Sequence, residues 1–163
     1  NETAFGKKFF SGWQLSGITT FQTGSPLSIT DSTGAQWFGS TSSRASWAPG
    51  ATVETATLSG RTEDRLNKYF DTSAFVTAGT LWGNTGRNIM TGPGQSNVDL
   101  SVTKITPFME SRVVEWRAEI FNILNHPNFD RPSGTFTSAA SFGKISGTVG
   151  NARLIQFGLR IVY

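Results

Sequence analysis

The sequence contains no cysteine and a single histidine among its 163 residues. The first absence excludes disulfides and thiol chemistry and is compatible with an oxidising exterior. Together they leave none of the usual zinc ligand sets. Charge is also scarce, at 15% Asp, Glu, Lys and Arg. The 14 basic residues are scattered, with Lys7-Lys8 the densest pair, so the net charge of +3 makes no concentrated footprint for nucleic acid. No run of about 18 apolar residues occurs, which excludes a transmembrane helix. A crossing by strands needs only about 9–11 alternating residues and remains open. The chain begins at Asn1 without a leader peptide, as expected of a processed product or a stretch of something longer.

What is abundant points to strands. Aromatic residues make up 12% of the chain and glycine contributes 18 positions, in a background rich in Ser and Thr. That mixture suits an all-β protein with many turns. The last segment, "RLIQFGLRIVY", places Ile155, Phe157, Leu159, Ile161 and Tyr163 on one face of an extended strand. The opposite face carries Gln156, Gly158 and Arg160 with Leu154 and Val162, so the strand is not one buried on both sides.

The same period recurs upstream. "FFSGWQLSGITTFQTG" predicts a long first strand over 9–23, with Phe9, Trp13, Leu15 and Phe21 on one face. "SPLSIT" predicts a short strand, and "ATVETATLSG" a second one. The stretches 31–50 and 79–96 have no period and are predicted as long loops, which in compact domains are often functional. Trp37, Phe38 and Trp47 argue for order in the first of them. "RTEDRLNKYF" predicts one short helix near 62–70, with Thr62 as cap, Glu63 and Asp64 in its first turn and an apolar side of Leu66, Tyr69 and Phe70.

The last third is the most regular. "NVDLSVTKI" predicts a strand over 97–106, and "ESRVVEWRAEIFNIL" one over 112–121 with Val114, Trp116, Ala118 and Ile120 on one face. Glu115, Arg117 and Glu119 form a charged strand face that alternates in sign, able to pair with neighbouring strands. Pro107 to Glu110 would turn the chain between these two strands. "SFGKISGTV" and the terminal strand would form a hairpin around Gly150-Asn151.

Residue types suited to catalysis do not assemble. A Ser-His-Asp triad would rest wholly on His126, which lies in "NHPNF" and reads as a structural turn residue. On a strand, Glu115 and Glu119 share their face with Arg117, which reads as a salt-bridged surface rather than an acid and base pair. "GNTGRN" and "GPGQSN" lack the Lys-Ser/Thr ending of a phosphate loop. "DSTG" at Asp31 resembles an aspartic-protease stretch without a partner motif. The expectation is a non-enzymatic protein with no metal and no cofactor.

The segments "GWQLSGITTFQTGSPLSI", "YFDTSAF", "GNTGRNIMTGPGQSNVDLSVTK", "WRAEIFNILNHPNF" and "FGKISGTVGNARLIQFGLRIVY" run in the order found at the C-terminal end of Oar-like TonB-dependent receptors. The chain resembles that family from Gly12 to Tyr163. The resemblance implies a Gram-negative outer-membrane or extracellular-surface location and an antiparallel meander of about six to eight strands. It also implies that Ile155 to Tyr163 is a closing barrel strand and a targeting signal read by barrel-assembly machinery. Receptors of this kind resemble barrels of about 22 strands with a plug. This chain, read as a single β-domain over 1–163, has neither plug nor TonB-contacting segment and would not transport alone.

An open slice of barrel presents unpaired backbone groups on two edges. The favoured expectation is therefore a structural protein that polymerises with itself, through strand pairing at the 9–23 and 153–163 edges, into a tube or filament. The alternative is the C-terminal barrel segment of an outer-membrane TonB-dependent transporter. A third reading makes Trp37, Phe38 and Trp47 a carbohydrate- or surface-binding set. No nucleic-acid partner is expected.

Overall fold

The structure, a computed structural model, describes residues 6, 9–40, 42–108 and 112–163. In chain order, β1 is Trp13–Gln22, β2 Pro26–Leu27, β3 Thr30–Asp31, β4 Ser43–Arg44 and β5 Ser46–Trp47. A single helical turn α1, Val53–Ala56, follows. Then come β6 (Phe75–Val76), β7 (Met90–Thr91) and the long β8 (Gln95–Phe108). The chain continues through β9 (Arg112–Phe121), β10 (Asn128–Phe129), β11 (Thr148–Val149) and β12 (Leu154–Val162). The fold is all-β with antiparallel strand ladders, as the composition and alternation require.

The chain divides into two compact units. The first is a four-stranded sheet in the order β1-β8-β9-β12. Register is continuous across it: Val102 faces Ala118, which faces Phe157 on the other side. The sheet has a clear polarity of ends. Phe108 pairs with Arg112, Val162 with Val113, and the amide of Ile105 donates to the carbonyl of Gly12. The start of β1, the short connection between β8 and β9, and the end of β12 thus share one end. The two long connections, 23–94 and 122–153, both leave and re-enter at the other.

The second unit comprises Gln22–Gln95 and Asn128–Val149. Its core is built from turns and two-residue ladders around aromatic rings. Phe70 is fully buried and meets Phe142 edge-on at 5.2 Å and Phe75 at 5.6 Å. Trp47 stacks on Phe75 at 4.9 Å. Burying one such ring contributes on the order of 2 kcal/mol, so the cluster offsets the entropy of ordering a chain with little regular structure. Asp31, 1% exposed, accepts from the amide and hydroxyl of Thr33, the hydroxyl of Thr77 and the amide of Ala78. The "DSTG" stretch is therefore a polar staple between two loops.

Several expectations are corrected. The first strand begins at Trp13, not Phe9; Phe9 and Phe10 are helical, and the carbonyl of Phe9 accepts from the Trp13 indole at 2.8 Å. Gly12, at φ +73°, breaks the extended run between them. The helix near 62–70 is only a 3-10 turn over Glu63–Arg65, and Thr62 makes no side-chain cap. The amide of Tyr69 donates instead to Gly143 and the carbonyl of Leu66 accepts from Ile145, so cross-chain bonds replace helical ones. The stretch predicted as a strand at 51–60 holds α1, closed by a reciprocal Thr52–Thr55 capping box.

The hairpin around Gly150-Asn151 does not form. Thr148 and Val149 pair with Phe129 and Asn128, and β12 pairs with β9. Loops 31–50 and 79–96 carry β4, β5 and β7, and the second contributes the first residues of β8. Pro107 and Phe108 belong to β8, while Met109 and Glu110 of the predicted turn lie outside the described residues.

Candidate functional site

The four-stranded sheet presents two chemically opposite faces. Alternation along each strand puts Ile155, Phe157, Leu159 and Ile161 of β12 on the face of Val114, Trp116, Ala118 and Ile120 of β9. Leu100 and Val102 of β8 follow in register. Trp13 of β1 joins them, its ring edge-on to Trp116 at 6.4 Å, and Trp116 stacks on Phe157 at 6.1 Å. This face is open: Phe157 is 71% and Leu159 69% exposed, and Leu15 and Phe21 are 70% and 79% exposed. A face this apolar exceeds what solvent normally covers and marks an interaction surface.

The other face is polar along its middle, with Ile18, Ile105, Phe121, Leu154 and Val162 exposed around the charged and amide side chains. Arg117 bridges both glutamates of its own strand, at 2.8 Å to Glu115 and 3.6 Å to Glu119. Glu119 also accepts from the Gln156 amide of β12 at 2.5 Å. The predicted charge alternation is thus satisfied mainly along the strand, with Gln156 as the cross-strand partner. Such partly exposed pairs contribute about 1 kcal/mol or less each; their effect is to keep this face wettable. Two shallow grooves of about 390 and 400 Å³ run over it, one lined by Gln14, Asp99, Ser101 and Arg117 together with Ile18 and Phe121, the other by Glu115, Gln156 and Arg160.

The two strands expected as edges are the edges of this sheet. β1 lies at one side and β12 at the other, so Trp13, Leu15, Phe21 and the terminal-strand set Ile155 to Tyr163 flank it. Phe9 lies outside the strand. With about 3.3 Å per residue, the nine residues of β12 extend roughly 30 Å. Tilted by about 40°, that rises roughly 23 Å, close to the ~25 Å apolar band crossed by membrane strands.

Sequence reading missed the clamp at the far end of the sheet. Asn122, 7% exposed and at φ +51°, donates its amide N–H to Asp99 Oδ1 at 2.8 Å. Its side-chain amide donates to the carbonyls of His126 and Asn151, both at 3.1 Å. Its side-chain oxygen accepts from the His126 amide at 3.0 Å. Asn125, at φ +49°, accepts from the Arg153 amide at 3.1 Å. Asparagine tolerates the left-handed region and caps a turn with its side chain. His126 accordingly takes part in a turn. The available signal was the pair of asparagines three apart in "NILNHPN" directly after a strand.

The aromatic set expected in loop 31–50 is divided. Trp47 packs into the core, Trp37 is 70% exposed, and the side chain of Phe38 lies outside what is described. Among the described residues no helix is long and apolar enough to cross a membrane, which says nothing of strands.

A family model described as "Outer membrane beta barrel domain" matches residues 1–156. Comparison with curated proteins and with solved structures gave no match.

Proposed function

The chain belongs to the outer membrane beta barrel domain family, and from that premise we propose that its four-stranded sheet is a section of barrel wall in an Oar-like TonB-dependent receptor. The observation that carries this reading is the two-faced sheet. The face of Trp13, Trp116, Phe157 and Leu159 meets lipid, and the face of Glu115, Arg117, Glu119 and Gln156 meets an aqueous lumen. The ends of the sheet agree with barrel topology, in which short turns are periplasmic and long connections extracellular. The short β8–β9 connection and the end of β12 then face the periplasm, and the 23–94 and 122–153 connections face outward. The role is structural and non-enzymatic.

The absence of cysteine makes the test direct, because each spin label has a single attachment point. Labels placed one at a time at Gln156, Phe157, Gly158, Leu159, Arg160 and Ile161 in the membrane-inserted protein report collision with oxygen or with an aqueous nickel chelate. The reading expects strict alternation, odd positions meeting oxygen and even positions meeting nickel. Uniform access of the aqueous reagent would end it.

A second reading is supported by the edges. β1 and β12 run antiparallel to one another and present apolar residues to the same face. Two copies joined β12 to β1 would therefore continue one meander and reach eight strands, the smallest barrel size. Repetition without closure would give a tube or filament at the cell surface. Light scattering and negative-stain imaging in detergent-free buffer separate the two. Ordered tubes favour the polymer, and a chain soluble only in detergent as a discrete particle removes it.

A further inference from the structure

The second unit holds a polar groove of about 390 Å³, within the size range of small-ligand sites. Two backbone bonds build its wall: the amide of Asp130 donates to the carbonyl of Gly147 at 3.1 Å, and that of Ser133 to the carbonyl of Lys144 at 2.9 Å. Between these bonds Pro132 and Ile145 are buried, while Arg131, Lys144 and Ser146 stay exposed along the groove. The floor is backbone. A Cβ at Gly134 would lie 2.5 Å from the carbonyl oxygen of Ser28, so glycine is what lets the two segments meet. The Thr30 amide then donates to the Gly134 carbonyl at 2.8 Å. The Ser28 hydroxyl, which accepts from the Asn88 amide at 2.8 Å, ties a third segment to the lining.

The polar groups of this lining are largely uncommitted. Among the described residues neither the Arg131 guanidinium nor the Lys144 ammonium has an ion pair or a hydrogen bond. The one carboxylate of the lining, Asp130, accepts from the Arg131 amide at 2.7 Å through Oδ1, and its Oδ2 has no partner among the described residues. The hydroxyls of Thr30, Thr135 and Ser146 are equally without partners there. Two cations beside one carboxylate leave a place for one negative charge. The open Asp130 oxygen, in turn, favours a ligand that also donates. Sulfate has the charge but no donor. Among the described residues no aromatic side chain lines the groove, so a base finds nothing to stack on. A sugar ring bearing one carboxylate supplies both the charge and the donors. We propose that this groove binds an acidic sugar residue, its carboxylate held by Arg131 and Lys144 and its hydroxyls by Asp130 and Ser146. Arginine matches a carboxylate with paired hydrogen bonds, and lysine adds a second positive charge. The site lies wholly within the second unit and stands apart from the barrel-wall reading.

The experiment is calorimetric titration of the full chain with methyl galacturonoside, with methyl galactoside and with sulfate. The two sugars differ only in a carboxylate against a hydroxymethyl group. The galacturonoside should bind about tenfold more tightly than either of the others, the factor for one hydrogen bond to a charged group. Arg131→Gln and Lys144→Gln should each remove that preference. Arg61→Gln, whose side chain pairs with Glu63 and does not line the groove, should keep it. Arg131 and Lys144 are exposed, so their substitution leaves the fold in place, and near-UV circular dichroism of the aromatic core checks this. Equal binding of the two sugars, or a preference unchanged in both variants, overturns the proposal. Sulfate binding as tightly as the galacturonoside reduces the groove to an adventitious anion site and also overturns it. So does the absence of any heat of binding with the galacturonoside at about 10 mM.

Discussion

The side-chain amide of Asn122 donates to the carbonyl of Asn151 at 3.1 Å, joining the end of β9 to the approach to β12 across 29 positions. Asn122 is buried and its φ is positive, so side chain and backbone are both committed. Asn122→Gly keeps the backbone option and loses the side-chain bonds, at a cost of about 1–3 kcal/mol. Asn122→Ala loses both and should cost about 1 kcal/mol more. Urea unfolding of the two variants beside the parent measures the difference. Equal stability of all three would show that the clamp does not restrain β12.

Stability should fall in acid. Burial pushes the Asp31 carboxyl up, but the donors from Thr33, Thr77 and Ala78 outweigh it and hold it below the ordinary aspartate value. A lowered folded value contributes stability that is fully present above the unfolded value of about 3.9 and is lost as pH falls through the folded one. The unfolding midpoint of the parent should therefore be steady from pH 7 to 5 and drop below about pH 4. Asp31→Asn should cost about 2 kcal/mol at neutral pH, since an amide turns a donor toward Thr77 and Ala78, and it should flatten the acid limb. A variant with the parent's acid limb would move the effect to other carboxylates, such as Asp71, which its bond to Lys68 also lowers.

The two faces of β12 should respond oppositely to charge. Leu159→Arg places a cation on the apolar face near mid-strand and should cost about 2–4 kcal/mol in a bilayer. Arg160→Gln, one residue away on the polar face, should stay within about 0.5 kcal/mol. Folding yield into vesicles, read by band shift on unboiled gels, compares them. Similar yields would mean that β12 has no lipid side.

Gly24 tests the packing of the second unit. A Cβ at this position would lie 1.8 Å from the carbonyl oxygen of Gly92 and 2.8 Å from that of Pro93, both backbone atoms. Gly24→Ala must push the β2–β7 ladder apart and should cost more than about 2 kcal/mol. Thermal unfolding followed by near-UV circular dichroism reports the loss of aromatic packing around Phe70.

The four sheet strands were legible because apolar and polar residues alternate along each of them, so period two survives in the residue order. β8, β9 and β12 lie within two residues of their expected bounds. The second unit was not legible, for a physical reason. Its core is supplied by rings at Phe70, Phe75, Phe136 and Phe142, which meet across turns and obey no period. The 62–70 segment has helical composition, but Arg65 spends its guanidinium on the carbonyls of Leu58 and Tyr69. Tertiary bonds there overrule local preference. The charged face was legible as residues and as a face, while the pairing of Arg117 with its own strand's glutamates depends on rotamers that spacing does not encode.

The sheet has an even number of strands, so a chain following it enters and leaves on the same side. Such a block is a cassette. Duplicating it, deleting it or exchanging it for a relative's leaves every other strand pointing as before and every loop at its own end of the sheet. The long connections can then diversify while the sheet keeps its hydrogen-bond pattern. Growth of a barrel by hairpin pairs needs no new rule of insertion, only another pair of edges with the same two faces.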